Sequence, residues 1–171
     1  MEAQVVILGR QHSETKKKFA SAAPVFNRYL AQIALQDQHK KLSVCFVLEN
    51  AQNDIIGFYT LSATGIDAKQ LVNEHLLTFQ THYQTLPAIL IGRFAIDRAY
   101  EGKGFGKKLL TDALKRCAKQ AEQIGACAVF VEPKDRIAHD FYHKFGFQEL
   151  EQQQKMFIPI KQLVTAFSGF N

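Results

Sequence analysis

Three glycines at alternate positions, Gly102, Gly104 and Gly106, are interleaved with Lys103 and Phe105 and followed by Lys107 and Lys108. Residue types in this order suit a bound phosphate. Glycine lets the backbone turn sharply and lets N–H groups approach an anion closely. A helix that starts at such a turn adds unsatisfied N–H groups and the positive end of its dipole. The lysines add formal positive charge. The same glycines would also serve a tight strand-to-helix turn with no ligand, and the turn alone does not separate the two readings. The spacing argues against two familiar nucleotide sites. There is no Gly-x4-Gly-Lys-Ser/Thr, the pattern of a nucleoside-triphosphate loop. A dinucleotide fingerprint needs an acid about 20 residues on at a strand end, whereas Glu122 falls inside a helical pattern.

The elements around this turn follow from hydrophobic periodicity. Ala88 to Ile96 is an apolar, β-prone run that feeds the turn, and Pro87 ends the irregular stretch before it. From Phe105 to Ile124 the apolar residues Leu109, Leu110, Ala113, Leu114, Cys117, Ala118 and Ala121 recur on one helical face. Ala126 to Val131 is a strand with no polar residue, as a fully buried strand requires. Arg136 to Phe145 is a shorter helix with Asp135 as its cap and Gly146 as its stop. Upstream, Val5 to Leu8 is a first strand, and Lys16–Lys18 lie in a polar stretch. Ala23 to Lys41 is helical in pattern, with Pro24 in its first turn, Ser21 as its cap and a stripe of Phe26, Tyr29, Leu30, Ile33, Ala34 and Leu35. Leu42 to Leu48 and Ile55 to Thr64 form an antiparallel hairpin across a polar turn at Glu49 to Asp54, and Gly57 marks a bulge or a close backbone approach. Ala68 to Val72 is one helical turn. Phe147 to Leu150 and Met156 to Ile160 close the sheet around a Gln-rich turn, and an apolar set follows at Leu163, Val164, Phe167 and Phe170. The order predicts a mixed α/β chain with one central sheet.

Composition narrows the class. The 171 residues, 47% hydrophobic and 22% charged, have globular proportions. No run approaches the roughly 18 apolar residues of a membrane helix. The N-terminus has no basic region before its short apolar run, so it reads as a strand and not as a signal peptide. Cys45, Cys117 and Cys127 are odd in number and lie in apolar patterns, which predicts free thiols in a reducing cytoplasm. A net charge of +5 fits a soluble surface and equally fits an anionic partner such as a coenzyme or RNA.

Two linked segments resemble the GNAT superfamily of N-acetyltransferases. One is Arg93-Phe-Ala-Ile-Asp through Glu101-Gly-Lys-Gly-Phe-Gly106, which is similar to the family's Gln/Arg-x-x-Gly-x-Gly/Ala motif with glutamate in the place of the usual Gln or Arg. The other, Ala138-His-Asp-Phe-Tyr142-His-Lys-Phe-Gly-Phe147, is similar to its Phe-Tyr-x-x-x-Gly-Phe helix end. Further segments, among them Phe26-Asn-Arg-Tyr-Leu, Gly57-Phe-Tyr-Thr-Leu-Ser-Ala, Leu86-Pro-Ala-Ile-Leu-Ile-Gly-Arg and Met156-Phe-Ile-Pro-Ile, resemble the GNAT toxins of bacterial toxin–antitoxin systems over nearly the whole chain.

The resemblance implies one domain over residues 1–171, with a coenzyme-binding core at about 88–150. It implies an α/β fold whose mixed, mostly antiparallel sheet is flanked by helices and splays at the acetyl-CoA site. It implies a cytoplasmic enzyme that acetylates the α-amine of aminoacyl-tRNA, a ribbon-helix-helix antitoxin that neutralises it, and a homodimer. A housekeeping acetyltransferase of small or protein amines shares the same motifs. In the implied mechanism the amides of Phe94, Ala95 and Ile96 face the thioester end, where N–H groups can polarise a carbonyl as it becomes an oxyanion. Lys103, Gly104, Phe105, Gly106 and Lys107 hold the pyrophosphate. Tyr142 is the general acid that protonates the departing thiolate. Lys16–Lys18, Lys40, Lys41, Arg93 and Arg98 are the expected RNA contacts. No metal is expected. His139 and His143, four apart, share a helix face and are expected at the surface, without a third ligand.

Overall fold

A turn in which Gly102 and Gly104 take φ of +72° and +84° links the longest helix of the chain to the strand before it. The computed structural model describes residues 1–71, 75, 78–150 and 154–168. Val72, Phe170 and residues 151–153 of the Gln-rich turn lie outside the described residues. Seven strands form one mixed sheet: β1 (Ala3–Ile7), β2 (Val44–Asn50), β3 (Ile55–Asp67), β4 (Thr85–Ile96), β5 (Ala128–Val131), β6 (Gln148–Glu149) and β7 (Met156–Pro159). Their order is β1-β2-β3-β4-β5-β7-β6. The β1/β2, β2/β3, β5/β7 and β6/β7 pairs are antiparallel, and β4/β5 is parallel. A parallel pair needs a long crossover, and the connection here runs through the helix Phe105–Gln123. In chain order the α-helices whose bounds lie within the described residues are α1 (Thr15–Lys18), α2 (Pro24–Gln32), α3 (Ala34–His39), α4 (Phe105–Gln123), α5 (Arg136–Lys144) and α6 (Ile160–Phe167).

By internal packing the chain divides into two compact units, Met1–Ser62 with Gly92–Ala113, and Ala63–Ile91 with Leu114–Asn171. The first holds a core of Leu8, Phe19, Tyr29, Leu30, Ala34, Cys45, Val47, Ile55, Phe58 and Ala95. Phe19 meets Phe58 edge to face at 5.4 Å between ring centres. Gly57 is a close-approach glycine, as expected: a Cβ there would lie 2.9 Å from the Ala95 carbonyl oxygen and 2.5 Å from Ile96 Cδ1. The β2/β3 register also shifts between Leu48 and Glu49, opposite Gly57. The second unit packs Ile66, Leu71, Leu86, Ala88, Ala128, Phe130, Leu150 and Phe157 together. Ile160 and Leu163 of α6 are buried in it, and the Ile160 N–H donates to the Cys127 carbonyl at 2.9 Å.

Several local expectations are corrected. The helix expected over 23–41 is two helices, broken at Ile33 (φ −117°, ψ −37°), which is 42% exposed. The break keeps Leu30 and Ala34 in the core and lets the Asp37 carboxylate reach the Tyr29 hydroxyl. Ser21 does not cap α2. Its hydroxyl and amide are turned to Asn27 Oδ1, and the N-cap is Ala23. Glu49 belongs to β2 and is buried, because His12 supplies a partner. Pro87 lies within β4, where its carbonyl accepts from the Cys127 N–H. Ile124 falls just past α4 and is 70% exposed.

Candidate functional site

The phosphate-type turn is built by local chemistry. After β4, Asp97 opens a short turn (Arg98–Tyr100) by accepting from the Ala99 N–H at 2.9 Å. Its other carboxylate oxygen accepts from the Ala20 N–H at 2.8 Å, which ties the turn to the chain before α2. Glu101 is exposed, and Gly102 and Gly104 follow in the left-handed region that favours glycine. A Cβ at either glycine would meet nothing within 4 Å, so backbone conformation and not packing selects them. Helix α4 then begins, with the Lys108 N–H donating to the Gly104 carbonyl at 3.2 Å. Its first amides point out of the helix start, where an anion is stabilised.

The lysines around this turn differ. Lys103 Nζ bends back to the Ala99 carbonyl at 2.9 Å and lies near the Tyr100 ring. Lys108 donates to the Ala3 carbonyl at 2.5 Å. Lys107 is exposed on the first turn of α4. Phe105 is half-buried and meets Tyr100 edge to face at 5.8 Å. Phe94 and Ile96 are half-buried and Ala95 is buried. The parallel ladder between β4 and β5 runs from Ala88↔Ala128 to Ile91↔Val131 and ends short of these three residues. All the residues expected at the coenzyme therefore lie in the first unit, and so do Lys40, Lys41, Arg93 and Arg98.

Tyr142 lies in the second unit, on α5. The Asp135 side chain caps that helix, as expected, accepting from the Ala138 N–H at 2.8 Å. Gly146 leaves it at φ +96°. Tyr142 is 6% exposed, and its ring packs on Phe147 at 5.4 Å. The Phe145 and Phe147 amides both donate to the Tyr142 carbonyl, so the turn after the helix closes on this residue. Burial pushes the Tyr142 phenol well above the ordinary tyrosine range. A phenol in that state stays protonated at neutral pH and carries a proton that it can give, so it is no base.

Two polar groupings were not legible in the sequence, and a third, around the His139–His143 pair expected on one face of α5, gains carboxylate partners that the spacing did not show. His12 is fully buried and its Nε2 lies 2.7 Å from Glu49 Oε2, while its Nδ1 accepts from the Gly9 N–H. That acceptor role at Nδ1 puts the proton on Nε2, which donates to Glu49. Gln4 Nε2 donates to the other Glu49 oxygen at 3.0 Å. Arg93 stacks its guanidinium over the Tyr29 ring, 3.5 Å from the ring centre. On α5, His139 contacts Asp140 at 3.1 Å and Glu149 at 2.5 Å and stacks against His143, with ring centres 6.2 Å apart. Hydrogen bonds to Asp140 and then Glu149 hold the His139 imidazole above its ordinary pKa. Among the described residues no group of three or more His, Cys, Asp or Glu side chains is placed to hold a metal ion, and no helix is long and apolar enough to cross a membrane.

Residues 41–149 match the sequence profile of the acetyltransferase (GNAT) domain. A protein of Mycobacterium tuberculosis (strain ATCC 25618 / H37Rv), named tRNA-acetylating toxin, is 33% identical over 133 residues, 76% of each chain. The toxin AtaT solved with acetyl-methionyl-tRNAfMet superposes with a TM-score of 0.87 at 24% identity, over 97% of this chain and 99% of that one. A Tyr-to-Phe mutant of AtaT, bound to the C-terminus of the antitoxin AtaR and to acetyl-CoA, superposes with a TM-score of 0.80 at 22% identity, covering 98% and 99%.

Proposed function

The chain belongs to the GNAT acetyltransferase family, and from that premise we propose that it transfers the acetyl group of acetyl-CoA to the α-amine of aminoacyl-tRNA and so stops translation. The likeness to a tRNA-acetylating toxin over three quarters of both chains carries the choice of substrate. The geometry suits the chemistry. The left-handed Gly102 and Gly104, the first amides of α4 and the exposed cation of Lys107 form a donor set for a pyrophosphate, and Lys103 joins it by leaving the Ala99 carbonyl that it holds here. The amides of Phe94, Ala95 and Ile96 are assigned to the thioester carbonyl, whose oxygen gains charge as the amine attacks. The new C–N bond forms, the C–S bond breaks, and the coenzyme leaves as a thiolate. Tyr142, a protonated phenol at neutral pH, delivers a proton to that sulfur, and the proton released from the attacking nitrogen passes to water and restores the phenol. The α-amine of an aminoacyl ester is less basic than a lysine side chain and is partly neutral at pH 7, so a dedicated base is not required.

The reading extends to the protein's setting. One catalytic domain over 1–171 works in the cytoplasm as a homodimer, and a ribbon-helix-helix antitoxin neutralises it. Exposed Lys40, Lys41 and Arg98 contribute to the charge that meets RNA phosphates.

The test is incubation with labelled acetyl-CoA and total charged tRNA. Label is expected on the aminoacyl group of tRNA, with a rate that falls steeply as salt rises. Label on protein or polyamine but not on tRNA overturns the substrate. Tyr142→Phe is expected to keep acetyl-CoA binding and to lose roughly 10²–10⁴-fold in kcat, the range of a general acid. Full turnover in that variant removes Tyr142 from the mechanism.

A further inference from the structure

Arg93 is half-buried on β4, immediately before the Phe94–Ala95–Ile96 segment. Its backbone N–H donates to Thr60 Oγ1 at 3.1 Å, and Thr60 is 1% exposed. Its guanidinium carbon lies over the Tyr29 ring, 3.5 Å from the ring centre. Among the described residues it has no carboxylate or carbonyl partner. Charged groups taken out of water are normally paired. An arginine held by an aromatic face and paired with no carboxylate leaves its N–H groups for an anion, and a planar guanidinium meets a phosphate bidentately.

The platform beneath it is itself fixed. Tyr29 is 3% exposed, and its hydroxyl donates to Asp37 Oδ2 at 2.9 Å and lies 3.1 Å from Ser43 Oγ. Asp37 sits on α3, and the Asp37 carbonyl accepts from the Leu42 N–H at 2.9 Å. Between these two contacts the chain passes through Lys40 and Lys41, both exposed, with Lys41 at φ +60°. One short segment thus supplies the anchor for the stack and two solvent-facing cations.

We infer that Arg93, set over the Tyr29 ring, is a fork for a phosphodiester at the single-stranded 3′ end of the RNA substrate. Tyr29 is a positioning residue, and Asp37 and Ser43 set the angle of its ring. The inference rests on the proposed acetylation of aminoacyl-tRNA. The coenzyme's phosphates are assigned to the Gly102–Gly106 turn, which leaves the RNA as the source of the anion at Arg93.

The experiment measures charged-tRNA binding across a salt series in the Tyr142→Phe background, where turnover is suppressed, and acetyl-CoA binding in parallel. Arg93→Gln is expected to weaken tRNA binding about tenfold and to flatten the slope of log K against log salt by about 0.7, one single-strand phosphate contact. Arg93→Lys keeps the slope but loses affinity, because an ammonium keeps the charge and lacks the fork. Tyr29→Leu follows Arg93→Gln in affinity, whereas Tyr29→Phe, which retains the ring face, restores most of it. Acetyl-CoA affinity stays unchanged throughout, and thermal melting confirms that each variant is folded. Unchanged tRNA affinity and slope in Arg93→Gln overturn the inference, as does a loss confined to acetyl-CoA or Tyr29→Phe as damaged as Tyr29→Leu. A chain that binds charged tRNA indifferently to Arg93 refutes this inference alone; a chain that binds no charged tRNA refutes the substrate assignment as well.

Discussion

A single methyl group at Gly57 would strike the strand that carries Phe94, Ala95 and Ile96. The added Cβ would lie 2.5 Å from Ile96 Cδ1, 2.9 Å from the Ala95 carbonyl oxygen and 3.1 Å from Leu109 Cδ2. The Ile96 methyl can rotate away. The Ala95 oxygen is backbone, and the strand beyond it is held where the Asp97 N–H donates to the Ile56 carbonyl at 2.8 Å. Gly57→Ala must therefore shift the backbone by a few tenths of an ångström. Overpacking of this kind costs about 1–3 kcal/mol. The reduced freedom of the unfolded chain returns about 0.4–1 kcal/mol, so the clash wins by roughly 1–2 kcal/mol. For a chain of this size that is a fall in Tm of roughly 2–8 °C. The displaced peptide carries the amide assigned to the thioester oxygen. Since a 1 Å misplacement can cost about 100-fold in rate, a shift of a few tenths is expected to lower kcat about tenfold. Calorimetry and acetyl-transfer kinetics on the purified variant check both numbers. A Tm at or above that of the unsubstituted chain, with kcat unchanged, would refute the reasoning, because it would mean that the two strands separate freely.

Three further outcomes follow from buried and paired groups. His12→Ala removes the donor from a buried carboxylate and is expected to cost about 3 kcal/mol, read as a lowered denaturation midpoint at unchanged m-value; a loss under 1 kcal/mol would contradict the burial of Glu49. His139 has a raised pKa in the folded chain, so its contribution is fully present below its unfolded pKa of about 6.5 and is lost as pH rises through the folded value. Proton NMR should find its imidazole titrating above the usual histidine range, and His139→Gln should remove that part of the pH dependence of stability. The Cys45 thiol is pushed up to about 12 by burial, and Cys117 is also fully buried. Alkylation at pH 8 should spare both in the folded chain and label both after denaturation.

The parts of the site that follow from near-neighbour rules were legible in the residues. Left-handed backbone at Gly102, Gly104 and Gly146, the Asp135 cap and the buried stripe of α4 each depend on a few adjacent positions, and each stands where the pattern placed it. Gly57 was legible as a close approach, but the strand that approaches it was not. The break at Ile33 escaped the helical pattern because period alone does not register that Asp37 must turn toward Tyr29. Glu49 read as a turn residue because its partner, His12, is 37 positions away.

Sequence by itself determined the family motif, the glycine turn, the tyrosine on its capped helix and the alternation of strands and helices, since these are set by backbone sterics and hydrophobic period. Tertiary structure decided which charges are already engaged. Lys108 is drawn to the Ala3 carbonyl, 105 positions away, Lys103 folds back on its own turn, and Arg93 lies over the Tyr29 ring. The reason is physical: a charge in sequence is only a count, and its availability to a ligand depends on what the fold brings within hydrogen-bonding distance.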